Sequence, residues 1–102
     1  MAAAVRAGAD ETLRVSIAPG KFDEHCLRIE AGRTIGYRFE ASAPVDFNIH
    51  HHRGMDVLYS VKRAATRGLA EPWRAESTDD YCLMWENTGA AAVTVEGRIE
   101  RR

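Results

Sequence analysis

Three consecutive histidines, His50, His51 and His52, sit inside the stretch VDFNIHHHRGMDVLY at residues 45–59. Val45, Phe47 and Ile49 alternate with polar residues ahead of them, which is the pattern of a half-buried strand. Successive side chains of a strand take opposite faces. His50 and His52 therefore share one face and stand about 7 Å apart, a spacing at which two imidazoles can chelate one ion. His51 follows Phe47 and Ile49 towards the core, or caps it.

A second chemical group lies at YCLMWEN, 81–87. Tyr81, Leu83 and Trp85 form its apolar face, so Cys82 and Met84 fall on the other one. If this strand neighbours the first, His50, His52, Cys82 and Met84 converge, and His51 or Met55 beyond the turn completes the shell. Imidazole with soft sulfur points to copper as the cofactor, then zinc, ahead of magnesium or calcium. The plainer reading is a solvated strand end, with methionine as a gap filler and Cys82 as a small buried hydrophobe or half a disulfide. His25, beside Cys26, reads as a surface residue rather than a ligand.

Other chemistries have thinner support. His50-x-His52 followed by Asp56 is similar to the first histidine motif of cupins, which implies a metalloenzyme. That family also needs a downstream histidine and normally a glutamate at the Asp56 position, and no histidine follows His52. There is no G-x-S-x-G elbow or phosphate-binding glycine loop, and Asp79 and Asp80 would point to opposite faces of a strand. Catalytic residues are therefore not expected.

The elements that must position these residues read as strands almost throughout. TLRVSI (12–17), TIGYRFE (34–40), VDFNIH (45–50), YCLMWEN (81–87) and AVTVEGRI (92–99) alternate with a period of two, and DEHCLRI (23–29) is a weaker strand. Glycine and proline punctuate them at 18–21, 30–33, 42–44, 52–56 and 87–90. The segment 62–79 is polar, carries Pro72 and Trp73, and reads as a long connection with a helical turn and a recognition role, in which Trp73 is either an interface anchor or, the reading preferred, a cover folded back over a core edge. The fold expected is all-β: a single antiparallel β-sandwich of about 7–8 strands over 12–99, with a flexible segment at 1–11 and a short tail at 100–102.

The chain has 102 residues, 45% of them hydrophobic and 28% charged, with a formal net charge of −1. These values describe one soluble globular domain and remove the basic footprint of a nucleic-acid binder. No run of about 18 apolar residues is available to span a membrane. The opening MAAAVRAGAD has no apolar core of a signal peptide, although its alanines suit the remnant of one. A cytoplasmic location follows if the chain is complete, and an extracytoplasmic one if a leader was removed. Two cysteines fit either a reduced pair or one disulfide. Exposed edge strands allow a homodimer.

Taken together, GYRFEAS, PVDFNI and DDYCLMWENTG resemble the GOLD-type β-sandwich of early-secretory cargo receptors and some lipid-transfer proteins. Tyr37 and Phe39, then Asp46, Phe47 and Ile49, then Tyr81, Leu83, Trp85 and Asn87 match that family's motifs in order. The resemblance covers residues 12–99 and implies a jelly-roll-like sandwich, a disulfide between Cys26 and Cys82, and a protein- or lipid-binding role. It carries no coiled coil, anchor or lipid-transfer domain. Two functions therefore stand side by side. One is a small metal-binding module that sequesters, ferries or senses copper. The other is an interaction module that recruits a partner through a sheet face or the 62–79 segment.

Overall fold

The computed structural model describes residues 10–102. The expected flexible segment falls mostly on 1–9, outside the described residues, and Glu11 already opens the first strand. Six strands follow in chain order: β1 (Glu11–Ile17), β2 (Phe22–Ile29), β3 (Thr34–Arg53), β4 (Asp56–Arg74), β5 (Asp79–Glu86) and β6 (Val93–Arg101). All pairings are antiparallel and no helix occurs among the described residues. The expected tail is strand up to Arg101, which pairs with Ile35.

The strand count falls below the 7–8 expected because two strands are long. β3 has 20 residues and β4 has 19. The first half of β3 pairs with β6, its second half pairs with β5, and β4 runs along the opposite edge of both. The path β1–β6–β3–β5–β2 is thus one sheet, and β3 bends in its middle at the serine–proline signal instead of ending there. Between Glu40 and Val45 the partner strand advances only from Gly68 to Thr66, so the surplus residues of β3 make the bend. Ser42 holds it: its hydroxyl accepts from the Thr94 amide at 2.9 Å and its carbonyl accepts from Arg67 at 3.1 Å. Two glycines let strands crowd β3 here. A Cβ on Gly97 would meet the Arg38 carbonyl at 2.6 Å, and one on Gly68 the Phe39 carbonyl at 2.9 Å.

The bend folds the sheet over a single core. Phe39 of the first half meets Phe47 and Trp85 of the second at ring distances of 4.8 and 5.7 Å, and Tyr37 meets Phe47 at 5.3 Å. Leu27, Ile29, Leu83, Val93 and Val95 fill the space around them. The free edges, β1 and β2, come together through His25, whose Nε2 lies 2.5 Å from the Glu11 carboxylate. His25 is therefore a partly buried clamp between edges, not the surface residue expected. The polar segment 62–79 is another correction. Its first 13 residues are the second part of β4, so no helical turn or open loop exists there. Pro72 is tolerated because β4 is an edge strand, where a missing N–H faces solvent.

Candidate functional site

The outer face of the second half of the sheet carries the histidines. His50 is paired with Cys82 and Asn48 with Met84, so β3 and β5 are neighbours and these side chains share a face with His52. The rings of His50 and His52 are 5.3 Å apart and nearly perpendicular. One residue of β4, Ser60, is surplus where Ile49 pairs with Val61 and His50 with Tyr59. That bulge turns Tyr59 onto the outer face, 5.9 Å from the His50 ring, with the Lys62 ammonium 4.7 Å from its own ring centre.

His50 is buried, and burial holds its ring below the ordinary histidine range; the Glu24 carboxylate pulls the other way, while His52 and His51 add to the lowering. Its Nδ1 lies 2.6 Å from the Asn48 side-chain oxygen, which can only accept, so the proton of a neutral ring sits on Nδ1. Nε2 then faces Glu24, 3.5 Å from its carboxylate oxygen. Glu24 arrives from β2, two residues before Cys26 and on the same face.

Three of the expected ligands are placed otherwise. Cys82 is bonded to Cys26, directly across the β2–β5 pair, so no thiolate is available to a metal. The sulfurs and Glu24 do lie within 4.8 Å of one another, but as a disulfide and a carboxylate they do not form a metal centre. His51 faces inward, stacked 4.9 Å from Tyr81, and neither of its nitrogens has a hydrogen-bond partner; the Asp79 carboxylate stands 3.8 Å from Nε2. Met55 is 99% exposed at the hairpin tip. Met84 remains on the histidine face, half-buried. Reasoning from sequence missed Glu24, because its approach depends on β2 lying beyond β5, an order that no local pattern encodes. The one available signal was its two-residue spacing from Cys26.

The β3–β4 hairpin itself forms a second feature. Arg53 pairs with Asp56 across Gly54 and Met55, and Gly54 has φ +63°, the backbone that a two-residue hairpin with glycine first requires. Past the turn, Val57 and Tyr59 lie on the histidine face and Leu58 lies opposite His51. All three are exposed, as is Met55. Trp73 packs on Tyr81 at 4.6 Å against the core, so of its two expected roles it takes the cover over a core edge and not the interface anchor. A shallow open groove crosses the other half of the sheet above Gly68 and Gly97, between Arg38, Glu40, Glu96 and Arg98. It holds none of the histidines or sulfurs.

No protein-family model matches the chain, and no curated protein matches it by sequence. Solved structures do resemble it. A periplasmic inhibitor of g-type lysozyme from Aeromonas hydrophila superposes with TM-score 0.72 at 13% identity, over 99% of this chain and 100% of that one. The pre-peptidase C-terminal domain of a Bacillus anthracis collagenase gives 0.73 at 15% identity, over 98% of each chain. The Yersinia pseudotuberculosis-derived mitogen gives 0.68 at 8% identity, over 91% and 86%. At these identities the likeness is one of fold.

Proposed function

We propose that the chain is a two-layered β-sandwich of the jelly-roll kind that works outside the cytoplasm as a non-catalytic binding module, docking a folded protein through the tip of its β3–β4 hairpin. The observation that carries this reading is the exposure of Met55, Val57, Leu58 and Tyr59 within five residues of a hydrogen-bonded hairpin. Apolar side chains gathered at one projecting end are the usual mark of an interaction surface. An aromatic with a polar tip beside aliphatic neighbours is the composition that binding surfaces favour. Asp56 is offset by Arg53 directly across the turn, so the tip carries no excess of basic charge to draw it to an anionic lipid surface, and a protein partner is favoured over a membrane.

Two further facts support the compartment and the role. The Cys26–Cys82 disulfide belongs to oxidising surroundings. Two proteins of similar fold, from Aeromonas hydrophila and Salmonella Typhimurium, are periplasmic inhibitors of g-type lysozyme, which supports a protein as the partner. Docking takes precedence over copper sequestration because of the six ligands expected for the ion, one is oxidised, one faces inward and one stands at the tip. The first partner to test is a g-type lysozyme, by calorimetry and by inhibition of its activity. Binding by the wild type and loss of about tenfold or more in affinity for Leu58→Asp/Tyr59→Ala is expected. Equal affinity for the folded double variant would refute docking at the hairpin.

A further inference from the structure

Beside the hairpin, and independent of whether it docks a protein, the outer face of the sheet presents a set of donors that no hydrogen bond joins. His50 is fixed by its bond to Asn48, which leaves the lone pair on Nε2, the nitrogen beside the Glu24 carboxylate. Nε2 and the nearest carboxylate oxygen are 3.5 Å apart. A charge-assisted hydrogen bond would draw them to about 2.7–2.9 Å. Two atoms bound to one tetrahedral zinc, each about 2.0–2.2 Å from the ion, stand roughly 3.4 Å apart. The two acceptors are held at the separation of two corners of a zinc tetrahedron.

We infer that Glu24, His50 and His52 form a binding site for a zinc-class divalent cation on the outer face of β2 and β3. His52 supplies the third ligand: its ring centre is 5.3 Å from that of His50 on the same face, the three ligand atoms do not all lie within 4.8 Å of one another as the side chains stand, and the exposed His52 side chain must turn to bring a nitrogen to the ion. Asn48 plays the part that orienting partners play around metal-bound histidines, holding the tautomer and the ring plane from the far nitrogen. Two imidazoles and one carboxylate suit zinc, and also Cu(II) as a stronger competitor, whereas Cu(I) has lost the Cys82 thiolate to the disulfide and would have only the Met84 thioether as a soft ligand on this face. Three protein ligands leave a fourth position open to solvent, so the ion exchanges and is not locked into the fold.

The test is calorimetric titration of Zn²⁺ into tag-free, chelator-stripped protein with its disulfide intact. One zinc per chain is expected, with affinity falling at least about tenfold in Glu24→Gln and in His52→Ala, and also in Asn48→Ala, which touches no ion. Glu24 and His52 are not core residues, and unchanged thermal melting of the stripped variants will establish that they fold. Met84→Leu, on the same face, should leave affinity unaltered. Absence of binding, binding indifferent to both Glu24→Gln and His52→Ala, or binding that arises only after reduction of the disulfide would each overturn the site.

Discussion

Several side chains have roles that their type alone did not announce. Asn87 is buried, and its amide serves three backbone groups at once: Nδ2 donates to the Ile17 and Ala91 carbonyls at 2.9 and 2.8 Å, and Oδ1 accepts from Gly89 at 2.9 Å. It ties the end of β1 to the β5–β6 connection, which accounts for an asparagine after an apolar strand without any binding role. Tyr37 is buried too and donates its hydroxyl to the Glu71 carboxylate. Burial, then the bond and the charge of Glu71, push its phenol far above the ordinary tyrosine value. The folded protein keeps a proton that the unfolded chain releases near pH 10, so this contribution to stability is complete below about pH 10 and is lost as pH rises beyond it. Denaturant melts between pH 9 and 11.5 should show the wild type losing up to about 1.4 kcal/mol more per pH unit than Tyr37→Phe. Parallel slopes would mean that Tyr37 titrates normally. Among the histidines, alternation correctly separated His51 from His50 and His52, while the oxidation state of Cys82 stayed open until its partner strand was known.

At the scale of the strand, period-two patterns located β1, both halves of β3, β5 and β6, because each buries one face against the core. They failed on β4. It is an edge strand exposed along most of its length, so it has little apolar alternation to display, and its arginines, lysine and proline look like a loop. Those same residues suit an edge that must not pair with another chain. The pattern also failed at irregularities. The Ser60 bulge reverses which residues face outward beyond it and so places Tyr59 beside His50. A second irregularity lies between Thr66 and Arg63, where Ala65 has φ +49° and its amide bonds to the Asp46 carboxylate at 2.9 Å. A left-handed backbone at a residue with a Cβ costs about 1–2 kcal/mol. Ala65→Gly should therefore raise the stability of the fold by up to about 1 kcal/mol in urea titration, net of the greater freedom of glycine in the unfolded chain. Destabilisation by a similar amount would show that the Ala65 methyl, not the backbone, matters there.

For the whole molecule, the sheet is one continuous surface bent over one core, closed at its free edges by the His25–Glu11 contact and cross-linked on its outer face by Cys26–Cys82. The cysteines are 56 residues apart, and a bridge closing a loop of that size removes about 4 kcal/mol of unfolded-state entropy. Reduction should lower the midpoint of thermal unfolding by well over 10 °C, given a domain of about 100 residues; a shift of a few degrees would mean that the core alone fixes the fold. This rigid body presents a hairpin end rich in apolar side chains, and the proposed docking role depends on that end being where a partner sits. Site-specific photocrosslinking tests it most directly, with a photoreactive residue at Leu58 or, as control, at Thr12 on the opposite half of the sheet. With the proposed docking, a discrete crosslink to a g-type lysozyme is expected from position 58 and none from position 12. A crosslink from Thr12 with none from Leu58 would contradict it.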